Sequence, residues 1–324
     1  MSTFCALHAA EAQGPAVDER IRVLTPDSGV TATVVMPTGR GMSDTIGLVF
    51  YALPNGNSTA ETMGRAMVDS TIWRFDIQHI AAQTRAARAR GLSNLVVVYL
   101  EAAGKSWPAW RQNRGYTDAN RRIRLLLQAL RDSVAAEVTA QYGHSPHLRV
   151  TLSGHSGGGS LMFGLIESQD TLPAWLDRLA FLDANYNFEA RHGPTLDAWL
   201  AAHTARRLYV VAYDDREIRL DGRKVVSDSG GTWRATERMR TWWGRTASAR
   251  VLRHDSSGAF HRWRDLASQV ELLAHPNPDN RILHTELVGE MNGFLYVLLA
   301  GRVTGSNALP VPAPPRQYTS FIRD

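Results

Sequence analysis

Five short apolar runs recur along the chain and constrain its architecture more than any other feature: IGLVFYAL (46–53), LVVVYL (95–100), LRVTL (148–152), LAFLD (179–183) and LYVVAY (208–213). Each is short and lacks polar alternation, which is the pattern of a strand covered on both faces. Longer stretches with helical spacing separate them. The clearest places Ile123, Leu126, Leu127, Leu130, Val134 and Val138 on one stripe, with Arg121, Arg124, Arg131 and Glu137 off it. Other helices are expected over 73–90, 160–168, 195–203 and 284–300. Such βα alternation predicts a mainly parallel sheet with helices on both faces, preceded by an antiparallel pair, RIRVL (20–24) and TATVVM (31–36). The expected domain spans 17–302, with a cap-like insertion around 221–262 and flexible tails over 1–16 and 303–324. The proline-rich LPVPAPPRQ (309–317) cannot continue a helix.

Composition removes several function classes. No apolar run approaches the roughly 18 residues that a membrane span needs. The net charge is +5, yet all but two of the 36 basic residues are arginines spread along helical patterns, and no nucleic-acid-binding signature accompanies them. Cys5 is the sole cysteine, which excludes an internal disulfide and a cysteine-rich zinc site. The start, MSTFCALHAAEAQ, has no basic n-region or long apolar core, although AEAQ has the small-x-small form of a cleavage site. A shortened signal sequence and a cytoplasmic start both stay open.

The stretch LSGHSGGGS (152–160) carries the chemistry. A P-loop needs a lysine where Ser160 stands, and a dinucleotide fingerprint needs a glycine where Met162 stands, so both phosphate-binding readings fail. The pattern G-x-S-x-G fits completely as Gly154-His155-Ser156-Gly157-Gly158, between an expected strand and an expected helix. A serine on so sharp a turn takes a strained backbone conformation that lifts its hydroxyl clear of the sheet. The Gly157 N–H, at the helix start, then points at an oxygen developing charge on an attacked carbonyl.

On these residues and the order of elements from about 20 to 300, the chain resembles the α/β-hydrolase superfamily. The resemblance implies an eight-stranded, mostly parallel sheet with the nucleophile after the fifth strand, and a triad in the chain order Ser, Asp or Glu, His. It implies Ser156 as nucleophile and a base in RILHTELVGEM, where His284 is favoured over His261 and, more weakly, His254. For the acid it implies Asp215, beyond the seventh strand, with Asp214 and Asp183 as alternatives. The second oxyanion donor is expected from Asn55, Gly56 or Asn57, although NG there also makes a turn with Ser58 or Thr59 as a helix cap. His155, Trp107 and Trp110 are expected to line the substrate site. Trp233, Trp242, Trp243 and Trp263 fit either an aromatic lid or core packing. The implied activity is cleavage of a carboxylic ester, small or polymeric, through an acyl-enzyme, with no metal or cofactor and no nucleic-acid partner. An amidase or peptidase on the same triad, and a catalytically silent fold used for binding, are the alternatives.

Overall fold

Residues that alternate along each strand reach opposite faces, and on the central strands of this chain both faces are apolar. The computed structural model describes residues 18–38, 44–245 and 250–323. The expectations for Cys5 and the AEAQ site fall outside the described residues. In chain order the elements are β1 (Glu19–Asp27), β2 (Val30–Pro37), β3 (Thr45–Ala52), α1 (Thr59–Met63), α2 (Ile80–Ala89), β4 (Leu95–Ala102), α3 (Trp107–Arg111) and α4 (Ala119–Tyr142). They continue with β5 (His147–His155), α5 (Gly159–Ile166), β6 (Leu176–Leu182), α6 (Gly193–Ala201) and β7 (Arg207–Tyr213). A two-residue hairpin, β8 (Arg219–Leu220) and β9 (Arg223–Lys224), is followed by α7 (Thr232–Arg245), β10 (Arg253–Ser257), β11 (Phe260–Arg264), β12 (Val270–His275) and α8 (Gly293–Leu299).

Ten strands form one sheet in the order β1-β2-β4-β3-β5-β6-β7-β12-β11-β10. The six central strands, β4 through β12, are parallel, and antiparallel pairs close both ends. On β3, Leu48, Phe50 and Ala52 enter the core under α4, α5 and α6, while Val49 and Tyr51, with Leu53 just beyond the strand, enter the core under α2 and α8. The sheet is thus the middle layer of three, an α/β-hydrolase-like arrangement that is mostly parallel and has helices on both faces. The helix α4 follows its sequence pattern. All six stripe residues are buried, Asp118 accepts from the Arg121 N–H at the start, and Gly143 closes the end in the left-handed region.

Several expectations need correction. The sheet has ten strands rather than eight, because the expected cap over 221–262 instead contributes β10 and β11, which lengthen the sheet at one end. Helix α7 of the same segment lies against β7, with Met239 and Trp243 buried in the core. The helix expected over 73–90 breaks into a 3-10 turn (Ser70–Asp76) and α2, because buried His79 takes a left-handed backbone (φ 47°). The last helix begins at Gly293 rather than at residue 284, since Asn292 is also left-handed (φ 60°) and residues 284–291 form turns. The segment 303–323 is held against the body rather than trailing from it. Tyr318 is fully buried, Arg316 donates to Asp76, and the Asn292 amide donates to the carbonyls of Ala313 (2.6 Å) and Pro315 (2.9 Å).

At the two rims of the sheet charged side chains pair locally. Arg20 and Arg22 of β1 both reach Glu137 of α4, and Asp255 of β10 meets Arg262 and Arg264 of β11. No helix among the described residues is long and apolar enough to cross a membrane.

Candidate active site

β5 ends at His155, and the chain turns at Ser156 with φ 51°, a left-handed conformation that a side-chain-bearing residue seldom adopts. Two of the neighbouring glycines are required by close approach. A Cβ on Gly158 would lie 2.2 Å from the Ala52 carbonyl oxygen of β3, and one on Gly157 would lie 2.0 Å from Asn55 Oδ1. The turn is therefore wedged between the strand beside it and the loop after β3. Ser156 is partly exposed, and among the described residues its Oγ has no hydrogen-bond partner. Its carbonyl accepts from the Tyr186 hydroxyl at 2.9 Å. Burial, and secondarily the Asp183 charge, push that phenol up to about 12, so it stays a donor.

His284 leaves the turn region after β12. Its Nδ1 bonds Asp183 Oδ2 at 2.5 Å, its ring is one-third exposed, and Asp183 is 2% exposed. Asp183 directly follows β6 and is itself left-handed (φ 46°), with its N–H donated to the Val211 carbonyl at 2.7 Å. Such strain persists only where the surroundings over-determine it. The His284 ring stacks on the His155 ring (centroids 4.4 Å, 38°), and His155 Nε2 bonds the His284 carbonyl at 2.9 Å. This anchors the His284 backbone beside the residue that precedes Ser156, with Nδ1 engaged by Asp183 and Nε2 left over.

The other sequence expectations fall as follows. Asp215, the favoured acid, does not bond His284. It accepts from the N–H groups of Thr232 (2.7 Å) and Trp233 (3.4 Å) at the start of α7. Burial, reinforced by the Asp183 charge, raises it to about 6. Asp214 faces the other way, in a bidentate pair with Arg216 (2.8 and 2.5 Å) that outweighs its burial and lowers its pKa. His261 lies on β11 opposite Ala274, stacked among His254, Trp233 and Trp263 on the outer end of the sheet, and the structure does not bring it to Ser156. His155 cannot line a substrate site as expected, being 1% exposed; burial, then the neighbouring His284, hold it well below the usual histidine range, hence neutral. Trp107 and Trp110 are likewise core residues, their indole N–H groups spent on the carbonyls of Leu100 (3.1 Å) and Ser28 (3.0 Å). Pro108 starts that short helix and Ser106 caps it, which turns both rings inward. Trp243 is buried too, while Trp233 and Trp263 line a surface hollow with Arg240, His254 and His261 rather than a lid.

In the loop after β3, the Gly56 N–H is taken by the Lys105 carbonyl (2.9 Å) and the Asn57 N–H points to the Pro54 carbonyl (3.5 Å). Ser58 and Glu61 form a reciprocal cap on α1. Asn55 is exposed, its side chain packed on Gly157, and of the three it alone has an N–H without a backbone acceptor among the described residues. Two residues that sequence reasoning missed complete the surroundings: Tyr186, whose only signal is its place three residues past Asp183, and Thr232, which follows a glycine pair at the head of α7. Beyond Tyr186 a polar cleft of about 550 Å³ opens between Arg111, Gln112, Asn120 and Arg191. Among the described residues no cluster could hold a metal ion.

No family model matches the sequence, and no curated protein matches it. Solved structures with a similar chain path include an acetyl xylan esterase from Aspergillus awamori (TM-score 0.41, 10% identity, covering 80% of this chain and 93% of that one). A cold-adapted esterase from an Arctic intertidal metagenomic library is similar over 85% of this chain and 90% of its own (TM-score 0.40, 12% identity). A predicted CIB-like hydrolase from Thermoplasma acidophilum is similar over 87% and 96% (TM-score 0.38, 9% identity).

Proposed function

We propose that the protein is a serine hydrolase that cleaves a carboxylic ester through an acyl-enzyme. The observation that carries this reading is a left-handed Ser156 that directly follows His155, on whose ring the His284 ring stacks, with His284 Nδ1 held at 2.5 Å by a buried carboxylate. Ser156 Oγ attacks the ester carbonyl and gives its proton to His284 Nε2, a contact that tightens when substrate is bound. Asp183, rather than Asp215, fixes the imidazole tautomer and stabilises the imidazolium. The oxyanion is received by the Gly157 N–H at the start of the helical turn and by the Asn55 N–H opposite it. His284 returns its proton to the leaving alkoxide. A water activated by the same nitrogen then releases the acid. Buried Tyr186 supports the serine by bonding its carbonyl.

A fluorophosphonate probe tests the nucleophile. Labelling of the wild type and its loss in Ser156→Ala are expected. Labelling that persists in the variant would reject Ser156, and an unlabelled wild type would assign the fold to binding. Faster turnover of p-nitrophenyl esters than of the matching anilides is expected, and the reverse order would make the enzyme an amidase.

A further inference from the structure

Thr232 is the first residue of α7 and is 3% exposed. Its hydroxyl donates to Asp183 Oδ1, the oxygen that His284 leaves free, and lies 3.4 Å from Asp215 Oδ2. Its N–H donates to that same Asp215 oxygen at 2.7 Å. Asp215, at the end of β7, thus fastens the head of α7, and α7 in turn presents one hydroxyl to Asp183. We propose that Thr232 is a positioning residue for Asp183, held in place by Asp215, so that the carboxylate plane keeps Oδ2 on His284 Nδ1.

A carboxylate on a strand end can rotate about its side-chain bonds, and one bond to His284 does not fix its plane. A second bond to the other oxygen does. The donor must be neutral, because a cation there would draw the carboxylate's charge away from the imidazolium. Among the described residues no arginine or lysine pairs with either Asp183 or Asp215. The other groups facing them fit that demand. Tyr186 and Tyr213 are pushed up by burial and then by these carboxylates, and His155 is neutral. Arg216 is occupied by Asp214 and packs over Trp233.

The inference rests on the Ser156–His284–Asp183 reading, and its test separates the two. Steady-state hydrolysis of p-nitrophenyl acetate is measured for Thr232→Val, Thr232→Ala and Thr232→Ser across pH 5–9. A hydrogen bond to a charged group supports a loss of about 10- to 100-fold in kcat for Val and Ala, with KM within about twofold. The serine variant keeps the hydroxyl and should stay within about threefold. A carboxylate stripped of a donor attracts the imidazolium proton more strongly, so the acid limb of kcat/KM should move to higher pH in Val and Ala, and not in Ser. Wild-type kcat and an unmoved acid limb in folded Thr232→Val would overturn the proposal, while an inactive Asp183→Asn would leave the triad standing. If valine does not fit the buried site, as a lowered melting temperature would reveal, the smaller alanine variant is decisive by the same two readouts. Full activity in Ser156→Ala would reject the triad, and this inference with it.

Discussion

Exchanging the two buried aspartates one at a time discriminates between the strand ends that compete for the acid. In Asp183→Asn the carboxylate that accepts from His284 Nδ1 becomes an amide. The imidazolium formed during attack then loses its only charged partner among the described residues. Its charge centre lies about 4 Å from that of the carboxylate, and the pair is buried on one side and open on the other, for which an effective dielectric of about 20 is appropriate; the attraction is then about 4 kcal/mol. That corresponds to about 10³-fold in kcat. Asparagine can also donate to Nδ1 and reverse the tautomer, which deepens the loss. Asp215→Asn retains an acceptor for the Thr232 N–H and makes no contact with His284, so its loss should stay under about tenfold. Burst kinetics with p-nitrophenyl acetate and the rate of fluorophosphonate labelling measure both. A larger loss in Asp215→Asn than in Asp183→Asn would refute the assignment of the acid.

Three further outcomes follow from the same geometry. Asp215 titrates near 6 in the folded chain against an ordinary 3.8, so its proton binds more tightly in the native state. Its contribution to stability is fully present below pH 3.8 and is lost as pH rises through about 6, by at most about 3 kcal/mol. Urea unfolding at pH 4 and pH 7 should therefore show wild type losing stability relative to Asp215→Asn across that window, and a constant difference would contradict it. Gly157→Ala puts a methyl 2.0 Å from Asn55 Oδ1, which must swing off the turn. A fall of more than about tenfold in kcat/KM with little change in melting temperature is expected, since the displaced group is exposed. His284→Ala should abolish turnover and His261→Ala should leave it within about twofold, because His261 stacks on the far end of the sheet; p-nitrophenyl ester rates decide, and the opposite pattern would exchange their roles.

Local signals carried well from sequence to structure. The α4 stripe, the β5 run and the glycines around Ser156 each depend on residues within a few positions, and each folds as its pattern predicts. His284, the proposed base, is legible because it stands between an apolar strand and an apolar helix. The acid is not. Asp183 and Asp215 both end buried strands, and what separates them is the head of α7, which gives its N–H groups to Asp215 and only a hydroxyl to Asp183, whose other oxygen goes to the histidine. Those two contacts join residues 17 and 49 positions apart and leave no mark on either strand. The tryptophans mislead for a related reason. Aromatic residues after a strand end read as lining a substrate site, yet in WPAW a short capped helix carries both rings into the core. The charged, weakly alternating sequences of β10 and β11 carry little of the apolar signal of a covered strand, so they fall within the segment expected to be a cap.

The ionic pairs at the rims have a consequence for how this molecule meets others. A sheet with two open ends offers unpaired N–H and C=O groups to any extended segment that drifts past. An incoming segment at β1 would lie alongside Arg20 and Arg22, already held by Glu137, and at β10 it would desolvate the Asp255 cluster. The β10 rim is thereby made inhospitable to strand addition, whereas β1 also exposes Ile21 and Val23 between its arginines and is the margin more open to an extended segment.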